Sequence, residues 1–420
     1  MEADIERGTY ISPHSGKTTV AAWAKTWEEI REEVADLSDR SYKSRLRAQI
    51  LPHWGAFTLD AVTTTDFRRW EKQLKAEGYS DNYIGDLIST FRTMLDDAVK
   101  HKPPLIRENP IPPRKSGRRG RYQKKQKDDV VFPSPRQAYL VARNALELRG
   151  FSHFVLVLTA AYAAMRIGEL AGLSRHDLIL PDRQVRPRNQ APLGVDGFYL
   201  PDPGMWEQPK KGSRIILRNQ SQYIGGSATL IDPKYQSARE LIIPPFLADL
   251  LHQLISSHKN ELVFLAPKGG RLLIGGEFYS DTFHPIVGGR PPKPSSRGHA
   301  ARPGIRPVLG LTGMTPHGLR HAGKVWLDEE GRHPRVAIEE RMGHEVPGVE
   351  GTYSHTTLGM ELAIAETLER LWWESLRPVL DVREYGPIPS GEVVENLISQ
   401  NSPKRRKRRP PKRTTSTSET

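Results

Sequence analysis

Five residues, met in the order Arg166, His317, Arg320, His344 and Tyr353, carry the strongest chemical signal in this 420-residue sequence. Arg166 follows an apolar run in AAYAAMRIGELAGL, where a guanidinium can present its planar fork to a phosphate. His317 and Arg320 stand three apart in TPHGLRHAG, a spacing that puts both on one face of a helix. His344 precedes Tyr353 by nine residues in RMGHEVPGVEGTYSH. Two guanidiniums can neutralise phosphate oxygens, and two imidazoles can donate hydrogen bonds or move protons. A phenol, with an ordinary pKa of about 10, becomes a nucleophile once its surroundings activate it. The set suits phosphoryl transfer to a tyrosine hydroxyl.

Plainer readings stand beside this one. Arg166 can simply pair with Glu169, which reads as a residue that orients a basic group. His317 and His321, four apart, have the spacing of two metal ligands, but no Glu follows the first and no third ligand stands out. His321 and His355 read as structural hydrogen-bonding residues, and Trp372 and Trp373 as core or partner contacts.

The elements that must position these residues follow from periodicity. Val20, Trp23, Trp27 and Ile30 mark one helix, and a second runs near Tyr42–Leu51 and stops at Pro52. Thr65 can cap a third, carrying Phe67, Trp70 and Leu74, and Gly78 ends it. Ser80 can cap a fourth, with Ile84, Leu87, Phe91, Leu95 and Val99 as its stripe. Residues 101–133, rich in Pro, Arg and Lys, read as a linker. Ser134-Pro135 opens a helix that Gly150 closes. An apolar helix over Phe151–Ala164 and a short one over Ile167–Leu173 follow. Residues 181–231 read as irregular, with strand-like pieces such as Arg214–Leu217. Glu240–Ile243 reads as a strand, Pro245–Ser256 as a helix and 288–307 as a loop. Helices dominate after Thr315, the last over about Leu358–Leu376. The expected architecture is mainly α with a small β-sheet: an arm (1–17), a helical domain (18–100), a basic linker (101–133), an α+β domain (134–376) and a C-terminal segment with a basic tail (377–420).

Charge is concentrated. The chain carries a formal +13, yet Lys100–Lys127 alone holds eleven Lys/Arg against the single acid Glu108, and Lys404–Arg413 holds eight with no acid. The remainder is therefore mildly acidic, and the positive charge reads as placed phosphate contacts, with Arg118, Arg119, Arg121, Lys124 and Lys125 as the linker's candidates. A solvated linker and a self-repelling tail are the bland alternative. No apolar run approaches the roughly 20 residues that span a bilayer. With no cysteine, disulfides and thiolate metal sites are excluded. The expectation from composition is a soluble intracellular, cytoplasmic protein with no membrane partner.

The boxes MRIGEL, HGLRHAG and MGHEVPGVEGTYSH, in that order, resemble those of the tyrosine site-specific recombinases of the phage-integrase family. The 24-residue step from Arg320 to His344 and the nine-residue step to Tyr353 match the family's spacing. The resemblance covers roughly residues 18–375, and the Arg- and Pro-rich style is similar to integrases of actinobacterial phages or integrative elements. It implies a SAM-like helical core-binding domain ahead of the catalytic domain, with an arm-binding domain shortened or absent.

The resemblance also implies roles. Arg166 and Arg320 would clamp the scissile phosphate, His344 would hydrogen-bond to it, and His317 would act as base towards Tyr353, which attacks to form a 3′-phosphotyrosyl link. A lysine on a β-hairpin would protonate the departing 5′-oxygen. PKYQSARELIIPPFLADLL fits the family grammar with Lys234, and PKKGSRIILRN fits it partly with Lys210. No metal and no cofactor are implied, because the arginines supply the charge. Implied partners are double-stranded attachment sites, a homotetramer spanning two duplexes, and an accessory excision factor or host DNA-bending protein. A type IB topoisomerase, or a DNA-binding protein with a disused site, are the rival expectations.

Overall fold

Tryptophan and phenylalanine at helical spacing build the first part of the chain. Helix α1 (Val20–Ile30) buries Val20, Trp23 and Trp27. Helix α2 (Asp36–Arg45) runs through one wide turn, Leu46–Ile50, into a short helix over Leu51–Trp54. Helices α3 (Thr64–Ala76) and α4 (Asp81–Lys100) complete the set. Trp54 and Trp70 meet edge to face, and Phe91 of α4 packs against both. Two of the buried indoles find a partner for their N–H: Trp23 donates to the Met94 carbonyl at 2.9 Å and Trp27 to Asp97 Oδ2 at 2.7 Å.

Several local expectations shift here. The helical path does not stop at Pro52, because the proline falls in the first turn of the short helix, where its missing N–H costs nothing. Thr63, not Thr65, caps α3: its Oγ1 accepts the Asp66 N–H at 3.1 Å and donates to the Asp66 carboxylate at 2.7 Å. Ile30 is 51% exposed and leaves the core stripe. Part of the stretch read as linker is folded onto α4. Ile106 and Ile111 are buried in this core, and Asn109 donates to the Arg92 carbonyl and to Asp96. Ser80 caps α4 as expected.

The structure, a computed structural model, describes residues 17–30, 36–113, 130–182, 207–224, 227–233, 237–295, 301–345 and 355–376. They form two units that divide between Lys125 and Gln126.

In the second unit Ser134 and Gln137 form the capping box that opens α5 (Pro135–Arg149). Gly150, at φ +86, allows the sharp reversal into α6 (Phe151–Tyr162), nearly all of which is buried. A short α7 (Ile167–Ala171) follows. Strands β1 (Leu178–Ile179), β2 (Arg214–Leu217) and β5 (Arg239–Ile242) make one antiparallel sheet in the order β1-β2-β5, with Ile215 opposite both Leu178 and Leu241. A separate hairpin, β3 (Gln220–Ile224) with β4 (Ser227–Ile231), occupies part of the region expected to be irregular. It lies backbone against backbone on α7: a Cβ on Gly172 would come within 2.8 Å of the Ser221 nitrogen.

Helices α8 (Pro245–Ser256), α9 (His284–Gly288), α10 (Pro316–Glu330), α11 (Arg335–Met342) and α12 (Leu358–Ser375) close the unit. Trp372 is core, stacked on Phe246 at 4.4 Å. At Gly323 a Cβ would stand 2.2 Å from the Ala161 carbonyl oxygen, so α10 crosses α6 at backbone contact. That crossing brings the N-terminal half of α10, with His317 and Arg320, up to the end of α6 where Arg166 follows. The whole is mainly helical with small antiparallel sheets, the class the sequence leads one to expect.

Candidate active site

Where α6 ends, the chain turns at Ala164, a non-glycine residue at φ +51. An alanine in the left-handed region is locally costly and persists where its surroundings demand it. Here its carbonyl accepts a hydrogen bond from Arg320 Nη1 at 2.5 Å. Two residues on, Arg166 precedes α7, and its N–H donates to Glu169 Oε2 at 2.8 Å, the arrangement of a glutamate in the first turn of a helix.

Glu169 is the hub of the site. Its side chain is 0% exposed, and three guanidiniums surround it. Arg166 Nη1 donates to Oε1 at 2.8 Å, Arg239 meets both oxygens at 3.1 Å, and Arg320 Nη1 stands 4.0 Å from Oε2. Burial alone would push the carboxyl up. The Arg239 charge and hydrogen bonds, the Arg166 N–H and the Arg320 charge outweigh burial and hold it below its ordinary value. One carboxylate facing three guanidiniums leaves the cluster with a surplus of positive charge.

Arg320 is 1% exposed and supplies charge from beneath. Besides Ala164 it donates to the Met342 carbonyl, and Nη2 lies 3.5 Å from His344 Nε2. Burial, then the neighbouring Arg166, push its pKa down to about 9, with Glu169 opposing, so it stays charged at neutral pH. Arg166 is 19% exposed, and its Nη1 also reaches Ser237 Oγ at 3.3 Å. His344 is 44% exposed, with Nδ1 2.9 Å from Glu339 Oε2. His317 lies at the surface of α10 with its ring partly desolvated, and that desolvation, followed by the charges of Arg320, His321, Arg166 and His344, holds it below the ordinary imidazole value. A neutral imidazole beside buried positive charge is equipped to take a proton.

Arg166, His317, Arg320 and His344 are therefore brought together. Tyr353, Lys234 and the linker cations Arg118, Arg119, Arg121, Lys124 and Lys125 lie outside the described residues. Lys210 is exposed in the turn before β2 and lines a cavity of about 420 Å³ between that sheet and α12, walled by Ile242, Leu362, Glu369 and Trp373. The guanidiniums of the cluster are buried or half-buried, and the exposed His317 and His344 lie at its solvent side, a form suited to a polymer laid across it.

Sequence reasoning missed three supporting residues. Arg239 grips Glu169 and donates to the Arg341 carbonyl at 2.9 Å. Arg341, itself buried, donates to the Ile242 and Tyr162 carbonyls and to Glu361, which ties α11 to β5, α6 and α12. Glu339 bridges His344 and Lys324. Arg239 and Arg341 betray themselves only as cations beside apolar strand or helix positions, a weak signal.

The unit has a second cationic feature. Beyond α9, antiparallel bridges join Arg290 to Ile305 and Lys293 to Arg302. Arg290, Lys293, Arg302 and Arg306 lie here with no acid among the described residues of 288–308, and Lys293 stands directly opposite Arg302, a like-charge pairing that costs stability. Buried Asn144 fixes the base through the Ile286 and Arg306 carbonyls.

No family model matches the chain. It is 23% identical over 391 residues, 88% of its length and 84% of the relative's, to a protein of Mycobacterium tuberculosis (strain CDC 1551 / Oshkosh) named as a prophage phiRv2 integrase. Among solved structures, the Tn1549 transposon integrase bound to transposon right end DNA superposes with a TM-score of 0.55 at 17% identity, covering 83% of this chain and 99% of that one. The same integrase with a circular intermediate DNA gives a TM-score of 0.56 at 18% identity, with the same coverage. The likeness establishes a common fold.

Proposed function

We infer that this chain is a site-specific tyrosine recombinase of the phage-integrase family, which breaks and rejoins DNA for the integration or excision of a mobile element. One observation carries the reading: Arg166, the His317–Arg320 pair and His344, from three separate stretches of the sequence, converge on one cationic cluster around the buried Glu169. The shared fold and the integrase relative support it, as do the cations Arg290, Lys293 and Arg302 on the bridged backbone beyond α9.

In this reading Arg166 and Arg320 hold the scissile phosphate and offset the charge that builds in the transition state. His344 adds a hydrogen bond. His317 accepts the proton of Tyr353 as its phenolic oxygen attacks phosphorus. The bond to the 5′-oxygen breaks, that oxygen takes a proton from Lys234, and a 3′-phosphotyrosyl link remains. A free 5′-hydroxyl from a second duplex reverses the step, so phosphodiester energy is conserved. Strand exchange between two duplexes calls for four subunits, each with its own tyrosine, and an excision factor or DNA-bending protein would set direction. The linker cations Arg118, Arg119, Arg121, Lys124 and Lys125 would contact phosphates.

Recombination and mere relaxation separate on paired attachment sites. The reading expects junction-bearing products from two cognate duplexes; relaxed plasmid with no exchanged product would instead indicate topoisomerase chemistry. The leaving-group acid is tested by replacing the bridging 5′-oxygen with sulfur, which leaves without a proton. Lys234→Ala should cleave normal DNA about 10²–10⁴-fold more slowly and the sulfur substrate nearly as fast as wild type. Rescue of Lys210→Ala instead would reverse the assignment.

A further inference from the structure

We propose that Glu339 is a positioning residue for His344, fixing which ring nitrogen holds the proton and hence which face the imidazole turns to the phosphate. The proposal rests on the recombinase reading for its functional consequence and on geometry for its cause.

The geometry begins with a helix ending. Helix α11 stops at Gly343, at φ +64, a conformation that glycine adopts without strain. The His344 N–H then donates to the Glu339 carbonyl at 3.0 Å and the Gly343 N–H to the Glu340 carbonyl at 2.8 Å. These are the two bonds of a Schellman motif, which folds the second residue past the helix back over the fifth residue before it. An acid at 339 and a histidine at 344 are thereby made to meet, and their side chains do, Nδ1 to Oε2 at 2.9 Å.

The carboxylate is held from its other side. Lys324 Nζ stands 3.2 Å from Glu339 Oε1 and 2.9 Å from Asp328. Lys324 lies one turn beyond Arg320 on α10, so the helix that carries Arg320 also anchors the residue that orients His344. Glu339 is only 14% exposed at its side chain. Burial would raise its pKa, but the hydrogen bonds from His344 and Lys324 and their charges bring it below the ordinary value.

An ionised carboxylate only accepts hydrogen bonds. The nitrogen facing it, Nδ1, must therefore carry the proton of the neutral ring, which leaves a lone pair on Nε2, 3.5 Å from Arg320 Nη2. To donate from Nε2 to a non-bridging phosphate oxygen, the ring takes up a second proton from solvent. The resulting imidazolium shares its charge with Glu339. Replacing Glu339 with glutamine keeps the shape but offers an N–H₂ as well as an oxygen, which frees the ring to place its one proton on Nε2.

The test uses the full chain labelled with ¹⁵N-histidine, the His344 signals being identified by their loss in His344→Ala. At pH 8 the wild-type ring should show a protonated Nδ1 and a bare Nε2, and Glu339→Gln should shift the balance towards a protonated Nε2. A wild-type ring protonated on Nε2, or identical spectra from both proteins, would overturn the proposal. This readout stands whether or not the protein cleaves DNA. In single-turnover cleavage of a nicked substrate, Glu339→Ala should be slower by about 10–100-fold, the usual scale for a residue that orients a ligating or catalytic histidine. In a His344→Ala background the same change should cost less than about threefold, because Glu339 acts through His344. Glu339→Gln should alter the pH profile of that rate relative to wild type, because it changes which nitrogen of His344 holds the proton of the neutral ring. Equal losses in both backgrounds, with unaltered pH profiles, would make Glu339 a tie between α10 and α11 and nothing more. Absence of any covalent adduct from wild type would count against the recombinase reading and leave the resonance assignment to decide the proposal.

Discussion

The two units of this protein bury different things. In the helical unit the core is aromatic and aliphatic, built on Trp23, Trp27, Trp54, Trp70 and Phe91, and among its described residues Thr90 is the buried polar one. The catalytic unit also has a large apolar core, yet it buries Glu169, Arg320, Arg341, Asp177, Asp249 and His153. Taking charge out of water is expensive, and a buried pair is weak evidence for stability. On the recombinase reading the contrast has a reason at one place: Glu169 and the carbonyls of Ala164 and Met342 fix the Arg320 cation where a phosphate would be bound. Among its described residues the first unit buries no charged side chain.

If that contrast is right, the largest effect comes from Glu169. Glu169→Ala leaves three guanidiniums facing one another in a dry site, and should destabilise the catalytic unit by about 3–5 kcal/mol while removing cleavage. Separate thermal or urea transitions of the two units would show the loss confined to the second. An unchanged catalytic transition would break the comparison.

Acid provides the next test. Burial, then the Arg149 charge, push His153 down to about 4. Its neutral form is the folded one, so its contribution is fully present above the unfolded value of about 6.5 and is lost as pH falls through the folded value. Between pH 6.5 and 4 the catalytic unit should lose on the order of 2–3 kcal/mol, and His153→Gln should abolish most of that slope. A wild-type slope that survives the substitution would assign the acid sensitivity elsewhere. His317 is also held below the ordinary imidazole value, so the acid limb of cleavage should lie below pH 6.5.

The smallest effect belongs to the helical unit. Thr63→Ala removes the α3 cap and should cost about 1 kcal/mol there, with the catalytic transition unmoved.

Legibility in the sequence follows the same division. Local signals read well: the stripe and Ser80 cap of α4, the Ser134-Pro135 start of α5, and the boxes that hold Arg166, His317, Arg320 and His344. Signals that depend on distant partners did not. Glu169 and Arg239 are 70 residues apart, and Arg341 reaches a carbonyl 99 residues away, so no spacing rule joins them. The β3–β4 hairpin was hidden because QSQYI and SATLI lack a strong apolar alternation. Pro52 misled because proline is forbidden in a helix interior but tolerated in a first turn, and the sequence does not announce the wide turn that precedes it.

On the recombinase reading, a phenolic oxygen nine residues beyond His344, that of Tyr353, attacks DNA at this cationic cluster. Tyr353→Phe removes that one oxygen. With a nicked suicide substrate carrying the cognate site, wild type should accumulate a covalent protein–DNA adduct on a denaturing gel. The Phe variant should bind the same DNA with similar affinity and give no adduct. An adduct of normal yield from Tyr353→Phe would contradict the account.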